Sequence, residues 1–456
     1  MQEKINLAEA NITDSESYHF DDLHPPLSTL EAKIESARCL FCYDAPCIDA
    51  CPTGINIPSF IRKISANNPI GAAKTILQDN ILGGSCARVC PTETLCQQAC
   101  VRNKEPECQP VQIGLLQRYA VDSLAGAPYP FNRKPATHKQ IAVVGAGPAG
   151  LACAHQLAQQ GHTIDLFEAK AKPGGLNEYG IAAYKLIHDY AQQEVDKILA
   201  IGGIKLHTNL TLGVDFHLNE LQESYDAVFL AIGLANSRQL GLEGENHPQV
   251  IDAIEYIEQI RQQNLKMLPT NKTAVVIGGG NTAIDIAVQL KKLGAKEVTV
   301  AYRRGREQMG ATEKEQYLAL LHGIKIIPWV KPVKIITDKK QLLAIEFEHT
   351  QLIKGKLQGN GEFLIVPTDF IFKAIGQSLA DTAFNPDAPH VKDKKAYIEH
   401  EQGKIKILNH YQTSLDKVFA GGDCINPGED LTVTAVQQGK QAALAIHQFL
   451  MAKEGE

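Results

Sequence analysis

No stretch of this sequence approaches the ~18–20 consecutive apolar residues that a helix needs to cross a bilayer, so no membrane association is expected. Basic residues are not in excess either. Lys and Arg number 45 against 51 Asp and Glu, a net charge of −6, which argues against a nucleic-acid partner. The opening residues, MQEKINLAEA, lack the basic and apolar regions of a signal peptide. Cytoplasmic residence is therefore the expectation. There is no low-complexity segment, no Ser/His/Asp arrangement, no zinc-protease helix and no Walker A loop, and the 15 histidines are scattered. None of these competes with the motifs that are present.

What is abundant is cysteine, and it is clustered. Of the 11, most fall before residue 110, and four of them occupy the fifteen residues RCLFCYDAPCIDACP. In a reducing compartment such clusters bind metal more often than they pair as disulfides. The 456 residues suggest two to four domains, and 36 glycines allow several tight strand-to-helix turns.

The chain changes character once. Residues 1 to about 27 read as extended. Ser28-Thr29-Leu30-Glu31 forms a capping box with Leu27 as staple, and residues 53–125 read as helical, with no alternating strand pattern. YPFNRKPATHKQ, 129–140, reads as a linker. Beyond it come strand, helix and strand units, beginning with IAVVGAGPAG at 141 and again with TAVVIGGGNTA at 273.

Gly145-x-Gly147-Pro148-Ala149-Gly150 follows an apolar strand and opens an alanine-rich helix. The first glycine permits the turn, the second lets the backbone approach a pyrophosphate, and the third lets helix and strand pack closely. The helix N-terminus then faces the phosphates. The next strand ends at Glu168, suited to ribose hydroxyls, and Gly174-Gly175-Leu176 follows. In the second unit, Gly278-x-Gly280-Asn281-Thr282-Ala283 repeats the pattern, but its second strand leads into Arg303, Arg304 and Arg306. On the sequence, Arg303 takes the place of Glu168. A carboxylate repels a 2′-phosphate and guanidinium groups hold one, so the first site suits FAD and the second NADPH. Near the end, TSLDKVFAGGDCI places Asp423 after a strand and the turn Gly421-Gly422, an arrangement similar to the ribityl-binding segment of two-domain flavoprotein reductases. FLAIG (229–233) and FKAIG (372–376) resemble the strands where such chains cross between domains.

The cysteine spacing is Cys39-x2-Cys42-x4-Cys47-x3-Cys51-Pro52, then Cys90-x5-Cys96-x3-Cys100. This is closer to the ferredoxin run than to paired zinc motifs. Two clusters need eight ligands and these cysteines make seven. Cys153 and Cys424 read as buried structural thiols, while Cys86 and Cys108 remain open as eighth ligands on spacing alone.

Taken in order, CLFCYDAPCIDACP, CARVCPTETLCQQAC, IGLLQRYA, VGAGPAG and GGGNTAID closely resemble the small, nicotinamide-oxidising subunit of bacterial dihydropyrimidine dehydrogenase. They resemble the N-terminal half of the single-chain eukaryotic enzyme equally. The glutamate synthase small subunit is a wider relative with a tighter second cysteine motif. The resemblance implies one [4Fe-4S] cluster on Cys39, Cys42, Cys47 and Cys100, and another on Cys51, Cys90, Cys96 and Gln117. It also implies FAD, NADPH or NADH, and a separate large subunit carrying FMN, further clusters and the pyrimidine site. An alternative acceptor is a glutamate synthase large subunit or a ferredoxin. Two departures stand out. The family's GIPxxRLP segment is GIAAYKL here, and the third basic residue of NADPH-using members falls at about Gly310, with Arg306 as its substitute. The expected architecture is α/β: a helical iron–sulfur domain over 1–135, a discontinuous FAD domain over 136–240 and 370–456, and a nicotinamide domain inserted at 241–369.

Overall fold

The computed structural model describes residues 20–104, 108–263, 269–338, 341–380, 398–426 and 428–452. The expected extended N-terminus therefore lies largely outside the described residues. Ser28 opens the first helix, Thr29–Ala37. Its hydroxyl accepts the Glu31 N–H at 3.3 Å, and the Glu31 carboxylate accepts the Ser28 N–H at 2.8 Å, satisfying two donors that a helix start would otherwise leave bare. Asn56 and Asn68 cap the helices Ile57–Ser65 and Pro69–Asp79 with one side-chain acceptor each, for the Ser59 and Gly71 N–H groups, and each helix has a proline in its first turn. Gly83–Val89 and Ile113–Asp122 complete the helical region. Phe60, Ile61, Ile76 and Leu116, all fully buried, are its core. No strand occurs among the described residues before Gln140.

The chain separates into two compact units. One holds residues 24–178, 188–236 and 378–456, and the other holds 179–187 and 237–377 together with the described residues up to Leu23. The first contains a parallel sheet in the order Val418–Ala420, Ala227–Leu230, Gln140–Val144, Thr163–Phe167, Ile204–His207. The helices Pro148–Gln159 and Thr432–Ala452 pack on one another beside it. The helical region belongs to this same unit. The segment expected as a linker is packed rather than loose: the Tyr129 hydroxyl lies 2.5 Å from His155 Nε2, and the Arg133 guanidinium donates to the carbonyls of Gly161 and His162.

The second unit contains a parallel sheet in the order Val250–Asp252, Phe370–Lys373, Thr273–Ile277, Glu297–Ala301, Lys325–Ile327. A three-stranded antiparallel meander spans Val330–Pro367. This corrects one expected boundary. Phe370–Lys373 pairs with Thr273–Ile277, so the strand belongs to the second sheet and the chain returns to the first unit at 377/378, not 369/370. Residues 179–187 also fall in the second unit. Lys185 bridges Asp285 and Glu315 at 2.7 Å each, and the Ala183 N–H donates to Gln289.

The internal repeat is longer than the glycine motifs alone. In the first unit a Cβ at Gly145 would strike the carbonyl of Ala231, and in the second a Cβ at Gly278 would strike that of Ala374. Both glycines sit at positive φ, 99° and 148°. The fragments FLAIG and FKAIG thus do the same job twice: each follows the strand beside its fingerprint strand and fills the space that only glycine leaves.

Candidate redox site

At the first glycine-rich turn, Gly147 is the residue before the helix Pro148–Gln159, and its Cβ position meets only Gly175 Cα, at 3.7 Å. The helix N-terminus therefore stays open to a phosphate. Gly150 lies against the Gly145 carbonyl, and Ala149 packs under Gly439 of the terminal helix. Leu176 opens a short helical turn, Leu176–Tyr179. Glu168 stands immediately after its strand. Its Oε2 accepts the Ala146 N–H at 2.9 Å and its Oε1 the Lys170 N–H at 2.8 Å. Burial pushes its carboxyl above the ordinary range, against the pull of those backbone donors. Each oxygen keeps lone pairs for ribose hydroxyls. Asp423 follows the turn Gly421-Gly422 and accepts no hydrogen bond among the described residues. Burial pushes its carboxyl up to about 6. A half-buried carboxylate without a donor is a place where a polyol chain fits.

The second turn repeats the geometry. Gly280 precedes the helix Asn281–Lys292, and a Cβ there would meet nothing within 4 Å. Asn281 Oδ1 accepts the Thr312 N–H at 3.4 Å, Thr282 continues the first turn and Ala283 is fully buried. The register corrects one assignment. Gly145 donates to Phe167 O and Glu168 to His207 O, while Gly278 donates to Ala301 O and Tyr302 to Ile327 O. Tyr302, not Arg303, is therefore the counterpart of Glu168. Its ring lies against Gly279 and its hydroxyl donates to Gln308 O at 2.8 Å. Arg303 is exposed and Arg304 half-buried. Arg306 Nε donates to Gln316 Oε1 at 3.3 Å. Gly310 lies close to Gly280. No carboxylate occupies the discriminating position of the second site.

The thiols fall into two sets. Cys39, Cys42, Cys47 and Cys100 line one pocket with Ile57, Ile61 and Val111. Burial, reinforced by Cys100 and Cys39, pushes Cys47 up to about 12, and burial likewise raises Cys39. In the other set, Cys96 is pushed up to about 12 by burial with Cys51 nearby. Cys90 is raised by its bond to Cys86, by burial and by the proximity of Cys96 and Cys51. Four thiols around one pocket are the donor set that a [4Fe-4S] cluster takes.

Gln117 is buried in Ile113–Asp122, and its Nε2 donates to Gly83 O at 2.7 Å. Among the described residues its Oε1, the atom a metal would take, accepts no hydrogen bond. Cys86 is buried beside Cys90, whereas Cys108 is exposed. Cys153 and Cys424 are fully buried away from both sets. Two site-shaping residues escape a reading of the sequence. Gln438 accepts the Gly422 N–H at 2.7 Å and holds the Asp423 turn. Glu194 reaches the helix that carries Cys86. Neither lies in a motif, and each acts across the fold.

Comparison with known proteins gives two family matches. Residues 139–439 match the pyridine nucleotide-disulphide oxidoreductase model, and residues 16–127 match dihydropyrimidine dehydrogenase domain II, 4Fe-4S cluster. The NAD-dependent dihydropyrimidine dehydrogenase subunit PreT of Escherichia coli K12 is 36% identical over 95% of this chain and 97% of its own. The glutamate synthase [NADPH] small chain of the same organism is 32% identical over 94% of each. Among solved structures, Mycobacterium tuberculosis FprA in complex with NADPH aligns with a TM-score of 0.57 at 19% identity, covering 71% of this chain and 86% of that one. The thioredoxin reductase of T. acidophilum aligns at 0.54 and 18%, covering 69% and 100%. The last two speak for the fold alone.

Proposed function

The chain is an NAD(P)H-dependent member of the pyridine nucleotide-disulphide oxidoreductase family with an iron–sulfur domain, and from that premise we propose that it is the electron-input subunit of a dihydropyrimidine dehydrogenase. The observation that carries the reading is the pocket shared by Cys39, Cys42, Cys47 and Cys100, in a chain that also holds two dinucleotide turns. A reductase with thiol-lined cluster sites is built to send electrons onward.

In this reading the turn Gly145–Gly150 and the helix Pro148–Gln159 receive the FAD pyrophosphate, Glu168 the ribose and Asp423 the ribityl chain. Gly278–Ala283 receives the nicotinamide dinucleotide. Arg303 and Arg304 face its 2′ side, where Tyr302 in place of a carboxylate lets a 2′-phosphate approach. FAD, when bound, supplies a centre that takes a hydride and returns electrons singly. One thiol set, Cys39, Cys42, Cys47 and Cys100, holds one [4Fe-4S] cluster. Cys51, Cys90 and Cys96 hold the other, with Gln117 Oε1 as eighth ligand. NAD(P)H leaves as NAD(P)⁺, and its two electrons pass one at a time to a large subunit. There, two electrons and two protons reduce the pyrimidine double bond.

The test is an anaerobic titration of the purified chain with NADPH and then NADH, followed in the visible spectrum. Bleaching of flavin and iron–sulfur bands by either nucleotide is expected, with uracil turnover only after the large subunit is added. Turnover by the isolated chain would refute the division of labour. Activity restored instead by a glutamate synthase large subunit would move the chain to the branch of its 32% relative.

A further inference from the structure

The helix Gly83–Val89 carries Cys86, and Cys90 is its C-terminal cap. It begins Gly-Gly after Leu82 and has no side-chain cap of its own in sequence. Its first N–H groups would be bare. A carboxylate from 110 residues away supplies the missing acceptor. Glu194 Oε1 accepts the Gly84 N–H at 2.8 Å and the Ser85 N–H at 3.2 Å, and Oε2 accepts the Ser85 hydroxyl at 2.5 Å. Glu194 is 3% exposed and belongs to the helix Tyr190–Leu199, which packs against the flavin-unit helix Pro148–Gln159. One turn earlier on the same helix, Tyr190 lies under the Arg88 guanidinium, 3.6 Å from the ring centroid. Arg88 also donates to Gly84 O at 3.0 Å and takes Asp122 in both oxygens at 2.8 and 2.9 Å. Asp122 ends the helix that carries Gln117. A side chain at Gly84 would collide with the Tyr190 hydroxyl, so the close approach of the two helices is built into the glycine.

We propose that Glu194 is a positioning residue: it clamps the Cys86–Cys90 helix to the flavin-binding helices and thereby fixes the second thiol set at its working distance from the flavin turn. The inference rests on the reductase reading above. Electron transfer falls steeply with distance, so a cluster on an unclamped two-turn helix would pass electrons slowly even when fully loaded.

The test uses the anaerobically purified, loaded chain and its E194L variant, which keeps roughly the size and removes both acceptors from Gly84 and Ser85. Equal iron and FAD contents are expected. Flavin bleaching by NAD(P)H in rapid mixing should keep its rate, while the following iron–sulfur phase slows by about 10-fold or more, the order seen when outer-shell partners are lost. Hydrogen exchange at Gly84 and Ser85 should accelerate, a readout independent of turnover. E194Q, which keeps one acceptor for both amides, should recover most of the rate and of the protection. E194L with wild-type rates and exchange would overturn the assignment. A wild-type chain that no nicotinamide bleaches would instead overturn the reductase reading, so the two failures are distinguishable. If E194L fails to fold, E194D, which keeps the acceptors but shortens the reach, takes its place: slower transfer and faster exchange are expected, and wild-type values would overturn the assignment.

Discussion

Asp423, proposed above for the ribityl chain, costs the FAD-free fold stability at neutral pH. Its carboxyl is pushed up to about 6 because burial strips water from the charged form. The unfolded chain titrates near 3.8. The folded state therefore favours the protonated form, and stability that is fully present below about 4 is lost as pH rises through 6, up to about 3 kcal/mol. Thermal melts of the FAD-free chain should show Asp423→Asn more stable than wild type at pH 7.5 and equal to it below pH 4. The same variant should retain little FAD. Equal melting curves at pH 7.5 would remove the cost argued here. A second residue-scale outcome concerns the nicotinamide. Replacing Arg303 and Arg304 with Ala should lower kcat/KM for NADPH by roughly 10–100-fold, as expected when charge-assisted bonds worth about 1.5–3 kcal/mol are lost, with a much smaller effect for NADH. Tyr302→Glu should add a selective penalty against NADPH, because it restores the acid that Glu168 supplies in the first unit. Steady-state kinetics with both nucleotides checks both.

At the scale of elements, the two glycine-rich turns were legible because each rule is local: a strand, three small residues, a helix. So were the cysteine runs and the capping box. The register of the second unit was not. Tyr302 and Arg303 are adjacent in sequence, and only the ladder bonds Gly278 to Ala301 and Tyr302 to Ile327 decide which one follows the strand in the manner of Glu168. FKAIG was misplaced for a related reason. A four-residue buried strand carries no mark of the sheet it joins, and its partner Thr273–Ile277 lies almost a hundred residues away. Glu194 and Gln438 were invisible because they act over long separations on backbone amides, which have no sequence. The packing of Pro148–Gln159 on Thr432–Ala452 gives a test at this scale. Gly439 lies against the Ala149 carbonyl, and a Cβ there would overlap it. Gly439→Ala should force the helices apart at about 1–3 kcal/mol and spoil the phosphate turn. A lower melting temperature and reduced FAD on purification are the expected readings.

For the whole molecule, the prediction is a count. Two [4Fe-4S] clusters require about eight iron and eight sulfide per chain. Cys86→Ser should leave that count intact, and Gln117→Ala should lower cluster content or change the EPR spectrum of one cluster. The reverse outcome would hand the eighth position to Cys86. The segment between the helical region and the first strand has a different consequence, one for anyone who wants to transplant these parts. The sequence invites a cut near residue 135, as though an electron-carrying cartridge were plugged into a flavoprotein. The fold offers no such seam. Tyr129 and Arg133 are already stitched to the first dinucleotide helix and the turn that follows it, and Glu194 stitches the other side. Chimaeras that exchange the cysteine region should keep the donor's residues 24–178 and 188–199 together, and a protease given the native chain should not find the domain border that the composition advertises.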